Sequence, residues 1–112
     1  MINYDGKLFR PISNTENGET SEETLFNYQQ NGEILTCTYR GGAIITGHLI
    51  GLVNELGEIN MRYHQINSKG EIMTGICHSK PQVLENGKIR LLESWKWTCK
   101  DFSEGNSILE EI

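Results

Sequence analysis

The sequence has few of the features that mark membrane, secreted or nucleic-acid-binding chains. Its 112 residues include two prolines, three cysteines, and ten basic residues against fifteen acidic ones. No apolar run approaches the roughly 18 residues of a transmembrane helix, and the first residues lack the basic and apolar regions of a signal peptide. The net charge of −5 and the scattered Lys and Arg argue against a nucleic-acid partner. We therefore expect one cytoplasmic domain without a membrane or nucleic-acid partner.

The cysteines and histidines are too sparse to predict a disulfide framework or a metal site. The cysteines are Cys37, Cys77 and Cys99, and we interpret them as reduced thiols that pack as small apolar side chains. Cys77 as a nucleophile would need a neighbour that lowers its pKa, and we find no such group. Strand alternation places His64 on the opposite face from His48 and His78, which disfavours a metal site. The expectation is a protein with no metal and no cofactor.

Glycine, by contrast, is abundant and falls at turn positions. Pairs such as Asn31-Gly32 and Asn86-Gly87 recur roughly every ten to eighteen residues, and the segments between them alternate apolar and polar residues. The pattern predicts eight antiparallel strands at 7–12, 24–30, 33–40, 43–54, 58–66, 71–80, 88–98 and 106–112. Eight strands are enough to close a small barrel. The predicted fold is therefore all-β, an antiparallel up-and-down barrel of the calycin or lipocalin type, with residues 1–112 as its single domain.

If every hairpin has a two-residue turn, alternation assigns one set of side chains to the barrel interior. This set comprises Phe26, Tyr28, Leu35, Cys37, Tyr39, Ile44, Thr46, His48, Ile50, Leu52, Ile59, Met61, Tyr63, Gln65, Thr74, Ile76, His78, Ile89, Leu91, Glu93, Trp95, Trp97, Ile108 and Glu110. Leu49 and Val53 are then apolar exceptions on a polar outer face. The mid-strand glycines Gly47, Gly51 and Gly75 are expected to mark bends or bulges.

The aromatic and polar members of the inward set predict a ligand site at the barrel mouth. Its candidate residues are Tyr39, His48, Tyr63, His78, Glu93 and Trp95. Aromatic walls with a few polar anchors suit a small amphipathic or aromatic molecule. Two alternatives use the same residues. His78 stacked on Trp95 and Glu93 paired with Lys80 would be structural, whereas a His–Glu pair would allow acid–base catalysis.

Several segments together resemble a family of small bacterial proteins of about 110 residues, often named N-acetylglutamate synthase. The segments are 9–19 (FRPISNTENGE), 47–51 (GHLIG), 61–65 (MRYHQ), 75–81 (GICHSKP) and 93–97 (ESWKW). The resemblance covers nearly the whole chain and implies an acetyltransferase as one alternative function, without assigning catalytic residues. The sequence shows no Gly-rich loop at a helix N-terminus to hold acetyl-CoA phosphates. We therefore favour a small-molecule binder. The other alternative is a protein-interaction module, and exposed strand ends allow a homodimer.

Overall fold

The computed structural model describes residues 2–112, and within them the chain forms eight β-strands. The strands are β1 (Leu8–Asn14), β2 (Leu25–Asn31), β3 (Ile34–Gly41), β4 (Ile44–Val53), β5 (Ile59–Asn67), β6 (Ile72–Val83), β7 (Ile89–Trp97) and β8 (Glu104–Glu111). Each strand pairs antiparallel with the next, and β8 pairs with β1 to close the barrel. The predicted eight-stranded up-and-down barrel is confirmed. In the described residues, no helix has the length and apolar character needed to span a membrane.

The predicted strand ends are least accurate where the barrel closes. The first strand continues to Asn14, and the last begins at Glu104, so the pair Glu104-Gly105 lies in a strand and not in a turn. The chain reverses instead before β8, where Lys100 and Phe102 have positive φ angles of 53° and 57°. Both extensions lie on the β1–β8 seam, where Thr15 N donates to Asn106 O over 3.0 Å.

Three hairpins have three-residue turns where two-residue turns were predicted. In the first of them Asn54 N donates to Glu58 O, and Gly57 N donates to Asn54 O, both over 2.9 Å. The same pattern recurs before β6 and before β7. The third turn residues, Gly57, Gly70 and Gly87, have φ angles of 79°, 76° and 84°, which glycine adopts without strain. Relative to a two-residue turn, a three-residue turn shifts the cross-strand pairing by one residue. Every side chain of the following strand then points to the opposite face of the sheet.

A β-bulge in β4 adds a second change of register. The pairing with β3 shifts by one residue between Tyr39 and Gly41, and the neighbouring Ile45 and Thr46 of β4 both face solvent. The side chains that follow the bulge are consequently inverted relative to the prediction. Leu49 and Val53, predicted outside, are core residues that are each 3% exposed.

The inward faces predicted for β2, β3, β5 and β7 are confirmed, whereas those predicted for β6, β8 and most of β4 are wrong. Residues predicted inside but found on the outer surface are Thr46, His48, Ile50, Leu52, Thr74, Ile76, His78, Ile108 and Glu110. Ile44, which precedes the bulge, is buried as predicted.

One end of the barrel is filled by aromatic side chains. Tyr4, Phe9 and Tyr28 pack together, with ring centroids 4.8 to 6.3 Å apart. The Tyr4 hydroxyl donates to Gly57 O, and this bond ties the segment before β1 to the turn after β4. The opposite end of the barrel is therefore the end where a ligand site can lie.

Candidate functional site

The unfilled end of the barrel contains a cavity of about 50 Å³. Its walls are mainly aromatic, whereas its floor combines apolar and polar side chains. The aromatic lining is Phe26, Tyr39, Tyr63, Trp95 and Trp97. The floor and rim add Leu49, Met61, Gln65, Cys77, Glu93 and Ser107. A cavity of this volume holds a few water molecules, so a larger ligand requires the structure that covers the cavity to move.

Three of the wall aromatics lie directly across a strand pair from a glycine. The pairs are Tyr39–Gly47, Tyr63–Gly75 and Trp95–Gly105. A Cβ at Gly75 would lie 2.2 Å from the Tyr63 ring, and the other two pairs are equally close. Each ring therefore lies flat against the neighbouring strand over the space that a side chain would fill. Gly75 was expected to mark a bend or bulge, but the β5–β6 register is unbroken there.

Glu93 is a buried acid at the floor of the cavity. Its carboxyl group accepts hydrogen bonds from Ser79 Oγ over 2.5 Å and from Ser107 Oγ over 3.0 Å. Burial raises its pKa above the ordinary value of 4.5, although the two serine bonds act in the opposite direction. The predicted partner, Lys80, lies on the outer surface and pairs with Leu92. The predicted Glu93–Lys80 ion pair is therefore wrong.

Burial keeps three other titratable groups of the cavity wall protonated at neutral pH. Burial raises the pKa of the Cys77 thiol well above its usual range, and the nearby Glu93 acts in the same direction. Burial likewise raises the pKa of the Tyr39 and Tyr63 hydroxyls. A neutral, buried thiol is a poor nucleophile. At neutral pH, Cys77 therefore does not supply a thiolate to the cavity.

A loop between β1 and β2 covers the mouth of the cavity. Trp95 Nε1 donates to Asn14 Oδ1 over 3.2 Å, and Trp97 Nε1 donates to Asn17 O over 3.0 Å. Asn14 Nδ2 in turn donates to Thr20 O over 3.0 Å. One indole N–H is thus bonded to the last residue of β1 and the other to the loop, and these bonds join the wall of the cavity to its cover.

The side chain of Glu19 reaches from this loop to the rim of the barrel. Its two carboxylate oxygens accept hydrogen bonds from Gln65 Nε2 over 2.9 Å and from Asn67 Nδ2 over 2.7 Å. Tyr39 donates to the other end of the Gln65 amide, Oε1, over 2.7 Å. Gln65 and Asn67 are 3% and 2% exposed, so this is a buried contact between a carboxylate and two amides.

The structure brings together four of the six predicted site residues. Tyr39, Tyr63, Glu93 and Trp95 line the cavity. His48 and His78 face outward as a result of the bulge and the three-residue turns. Whether the four lining residues bind a ligand stays a prediction.

The predicted positions of the histidines relative to their neighbours are also wrong. His48 lies beside His64 on the outer surface, with ring centroids 5.3 Å apart, although the two were expected on opposite faces. His78 pairs with Ser94, and the cross-strand partner of Trp95 is Cys77. The proposed stacking of His78 on Trp95 is therefore wrong.

Sequence reasoning missed several residues of the site. Gln65 and Trp97 were predicted to point inward but were not assigned to it. Glu19 and Asn67 were not identified, since Glu19 lies in a polar loop and Asn67 at a strand end. A usable signal was the glycine opposite three of the five wall aromatics, because such a glycine indicates a ring lying over it.

A closed barrel of eight sequential antiparallel strands with a cavity at one end has the calycin type of architecture. The family model described as "Avidin-like protein" matches residues 2–112 of this chain. The chain therefore belongs to the avidin-like family. The comparisons with curated proteins and with solved structures gave no match.

Proposed function

We propose that the protein binds a small organic molecule in the cavity at the unfilled end of the barrel. The observation that carries this proposal is the set of aromatic walls around a space that the core leaves unfilled. Polar groups stand at two levels of this space, Glu93 at the floor and Gln65 at the rim. Avidin-like barrels bind small ligands such as biotin, which supports a ligand in the same kind of barrel here.

The lining favours an amphipathic or aromatic ligand. Tyr63 and Trp97 pack edge to face with ring centroids 5.8 Å apart, and Trp95 and Trp97 do so at 5.4 Å. Flat apolar surfaces of this kind bind rings or alkyl chains, and the polar groups orient them. Since the cavity holds about 50 Å³ under the β1–β2 loop, binding of such a molecule displaces part of that loop.

A thermal-shift screen of the purified protein tests the proposal. The library contains biotin, fatty acids, small aromatic compounds, acetyl-CoA and glutamate. A ligand at a hundred times its Kd stabilises the folded state by about 2.7 kcal/mol. We expect a concentration-dependent rise in Tm with at least one amphipathic or aromatic compound, confirmed by calorimetric titration.

Two substitutions then locate the site. Tyr63→Leu removes a half-buried wall ring and should abolish the shift, whereas His78→Ala on the outer surface should preserve it. The proposal is wrong if no compound raises Tm, or if both variants lose the shift equally.

The acetyltransferase alternative predicts a different measurable property of the same protein. It requires acetyl-CoA to bind and free CoA thiol to appear when glutamate is added. Cys77 and Glu93 are hydrogen-bonded neighbours, but burial raises the pKa of both groups and the thiol stays protonated, so we favour binding without turnover. A thiol-release assay on the pure protein decides between the two.

Self-association is a second candidate property. Ile34 and Leu52 are direct cross-strand neighbours on the outer face and are 51% and 60% exposed, and nearby Ile50 is 53% exposed. Apolar side chains grouped on a sheet surface are typical of protein contacts. Sedimentation velocity of the protein and of Leu52→Lys tests this, since a dimer formed through this face should dissociate in the variant. A native protein that sediments as a monomer contradicts the homodimer.

A further inference from the structure

We infer that the ligand of this cavity carries a carboxylate. In the protein without ligand, the carboxylate of Glu19 occupies the place of that group, and the ligand displaces it. This inference rests on the proposed function and names its ligand class. It starts from the two amide groups that bond to Glu19, because both are set as donors by the rest of the structure.

The Gln65 amide is oriented by Tyr39. The Tyr39 hydroxyl donates to Gln65 Oε1 over 2.7 Å, so the Nε2 end must point the other way, toward the rim. There it donates to Glu19 Oε1 over 2.9 Å. A group at this position has to accept a hydrogen bond.

The Asn67 amide is oriented by the turn that follows β5. Its Oδ1 accepts hydrogen bonds from Lys69 N and Glu71 N, both over 3.0 Å. Its Nδ2 donates to two carboxylates, Glu19 Oε2 over 2.7 Å and Glu71 Oε1 over 2.9 Å. Gln65 and Asn67 are two residues apart on one strand and project to the same side, so they form a two-pronged donor that matches the two oxygens of one carboxylate.

The surroundings favour exchange of one carboxylate for another. Loss of Glu19 leaves Gln65 Nε2 without its acceptor and leaves Asn67 Nδ2 with only its bond to Glu71, which is costly for buried amides. A hydrogen bond to a charged acceptor is stronger than one to a neutral acceptor. The Glu71 carboxylate next to this rim is paired with Lys100, which balances its negative charge. A ligand carboxylate that replaces Glu19 preserves both the hydrogen bonds and the local charge, whereas an alcohol or an alkyl group does not.

Glu19 is placed so that it can leave. Within residues 2–112, neither its backbone N–H nor its C=O forms a backbone hydrogen bond. The two bonds to Gln65 and Asn67 hold its side chain at the rim, while the adjacent Thr20 O is held separately by Asn14 Nδ2. Displacing Glu19 enlarges the mouth next to the aromatic walls, where the apolar part of an aryl or alkyl carboxylate would lie.

The test compares benzoate with benzyl alcohol, two probes that share the ring and differ in the carboxylate. Affinities are measured by calorimetric titration for the native protein, for Glu19→Ala, and for Glu16→Ala as a control on an exposed residue of the same loop. In Glu19→Ala the ratio of benzoate to benzyl alcohol affinity should rise about tenfold, since the freed amides bind a charged acceptor. In Glu16→Ala the ratio should stay at its native value.

A second substitution tests whether the higher benzoate to benzyl alcohol affinity ratio comes from the side-chain amide donors of Gln65 and Asn67. Gln65→Glu in the Glu19→Ala background keeps the acceptor for Tyr39 but replaces the rim N–H donors by an oxygen. Benzoate affinity should fall at least tenfold while benzyl alcohol affinity is kept. NMR signals of the Gln65 and Asn67 side-chain amides in Glu19→Ala should move with benzoate and not with benzyl alcohol.

The outcomes separate this inference from the proposed function. If Glu19→Ala binds both probes with an unchanged affinity ratio, the cavity binds small molecules but the carboxylate assignment is wrong. If neither probe binds to any of the variants and the metabolite screen is also flat, both proposals are wrong.

Discussion

At the scale of single residues, two neighbouring tyrosines of the filled end have opposite hydroxyl environments. Tyr4 donates to Gly57 O, whereas the buried Tyr28 Oη forms no hydrogen bond within residues 2–112. A buried polar group without a partner costs stability, so its removal costs nothing. We predict that Tyr28→Phe leaves the free energy of unfolding unchanged or raises it by up to about 1 kcal/mol, whereas Tyr4→Phe lowers it by about 1 kcal/mol.

Urea denaturation of the two variants measures this difference directly. The two substitutions remove the same atom from rings whose centroids lie 6.0 Å apart, so they control for each other. A Tyr28→Phe variant as destabilised as Tyr4→Phe would show that the Tyr28 hydroxyl has a partner that stabilises the fold.

Glu93 makes the stability of the barrel depend on pH. Its folded-state pKa lies above 4.5, so the folded protein binds this proton more tightly than the unfolded chain does. The stabilisation is fully present below the unfolded-state pKa and is lost as the pH rises through the folded-state pKa. We predict that Glu93→Gln, which carries no charge, is more stable than the native protein at about pH 8.

Thermal melts over a pH series test the sign of this effect. The Tm advantage of Glu93→Gln should shrink as the pH falls toward 4.5, where the native carboxyl is increasingly protonated. The exposed Glu16→Gln should show no such trend. An advantage of Glu93→Gln that grows at low pH would contradict a raised pKa.

At the scale of strands, the glycine–aromatic pairs set the width of the cavity. Ala at Gly75 would place its Cβ 2.2 Å from the Tyr63 ring, whereas Ala at Gly70 meets no atom within 4 Å and is strained only by its φ of +76°. We predict that Gly75→Ala costs about 1–3 kcal/mol from overpacking and moves the ring. Gly70→Ala should cost about 1 kcal/mol through the backbone alone.

Near-UV circular dichroism distinguishes the two variants. Tyr63 packs against Trp97, so a displaced ring should change the aromatic signal in Gly75→Ala and leave it unchanged in Gly70→Ala. An unchanged aromatic spectrum in Gly75→Ala would mean that the backbone moves instead of the ring.

Turn chemistry predicted the number, order and pairing of the strands. It did not predict the parity of every hairpin, that is, whether its turn has an even or an odd number of residues. A glycine with positive φ ends a two-residue or a three-residue turn equally well, and the bulge in β4 has no local signature. Between β4 and β7, one unrecognised change of parity turned a strand over and the next one restored it, whereas β8 stayed inverted relative to the prediction. This is why Tyr63 and Trp95 were placed correctly while His48 and His78 were not. Glu19 could not be predicted, because its position depends on Gln65, 46 residues away.

At the scale of the whole molecule, the barrel has one weak seam. β1 and β2 pair at Leu8 and Phe9, and the segment before β1 adds two backbone bonds to Tyr28, from Gly6 N and to Lys7 O. By contrast, β6 and β7 pair without interruption from Gly75 to Val83. The other side of β1 is secured by pairing with β8 and by the Lys7–Glu111 ion pair of 3.1 Å. The covering loop connects the two strands of the weak seam, so local opening there would also release the cover of the cavity.

Hydrogen exchange should show this seam as the least stable part of the sheet. We predict that the backbone amides of β2 that face β1 exchange faster than those that link β6 and β7, because local opening exposes short pairings first. A ligand that binds under the loop should slow exchange in residues 15–23 more than in β6, since it orders the cover directly. Equal protection of all strand pairs would mean that the barrel opens as one unit. In that case the ligand would enter by displacing the loop alone, without separation of β1 from β2.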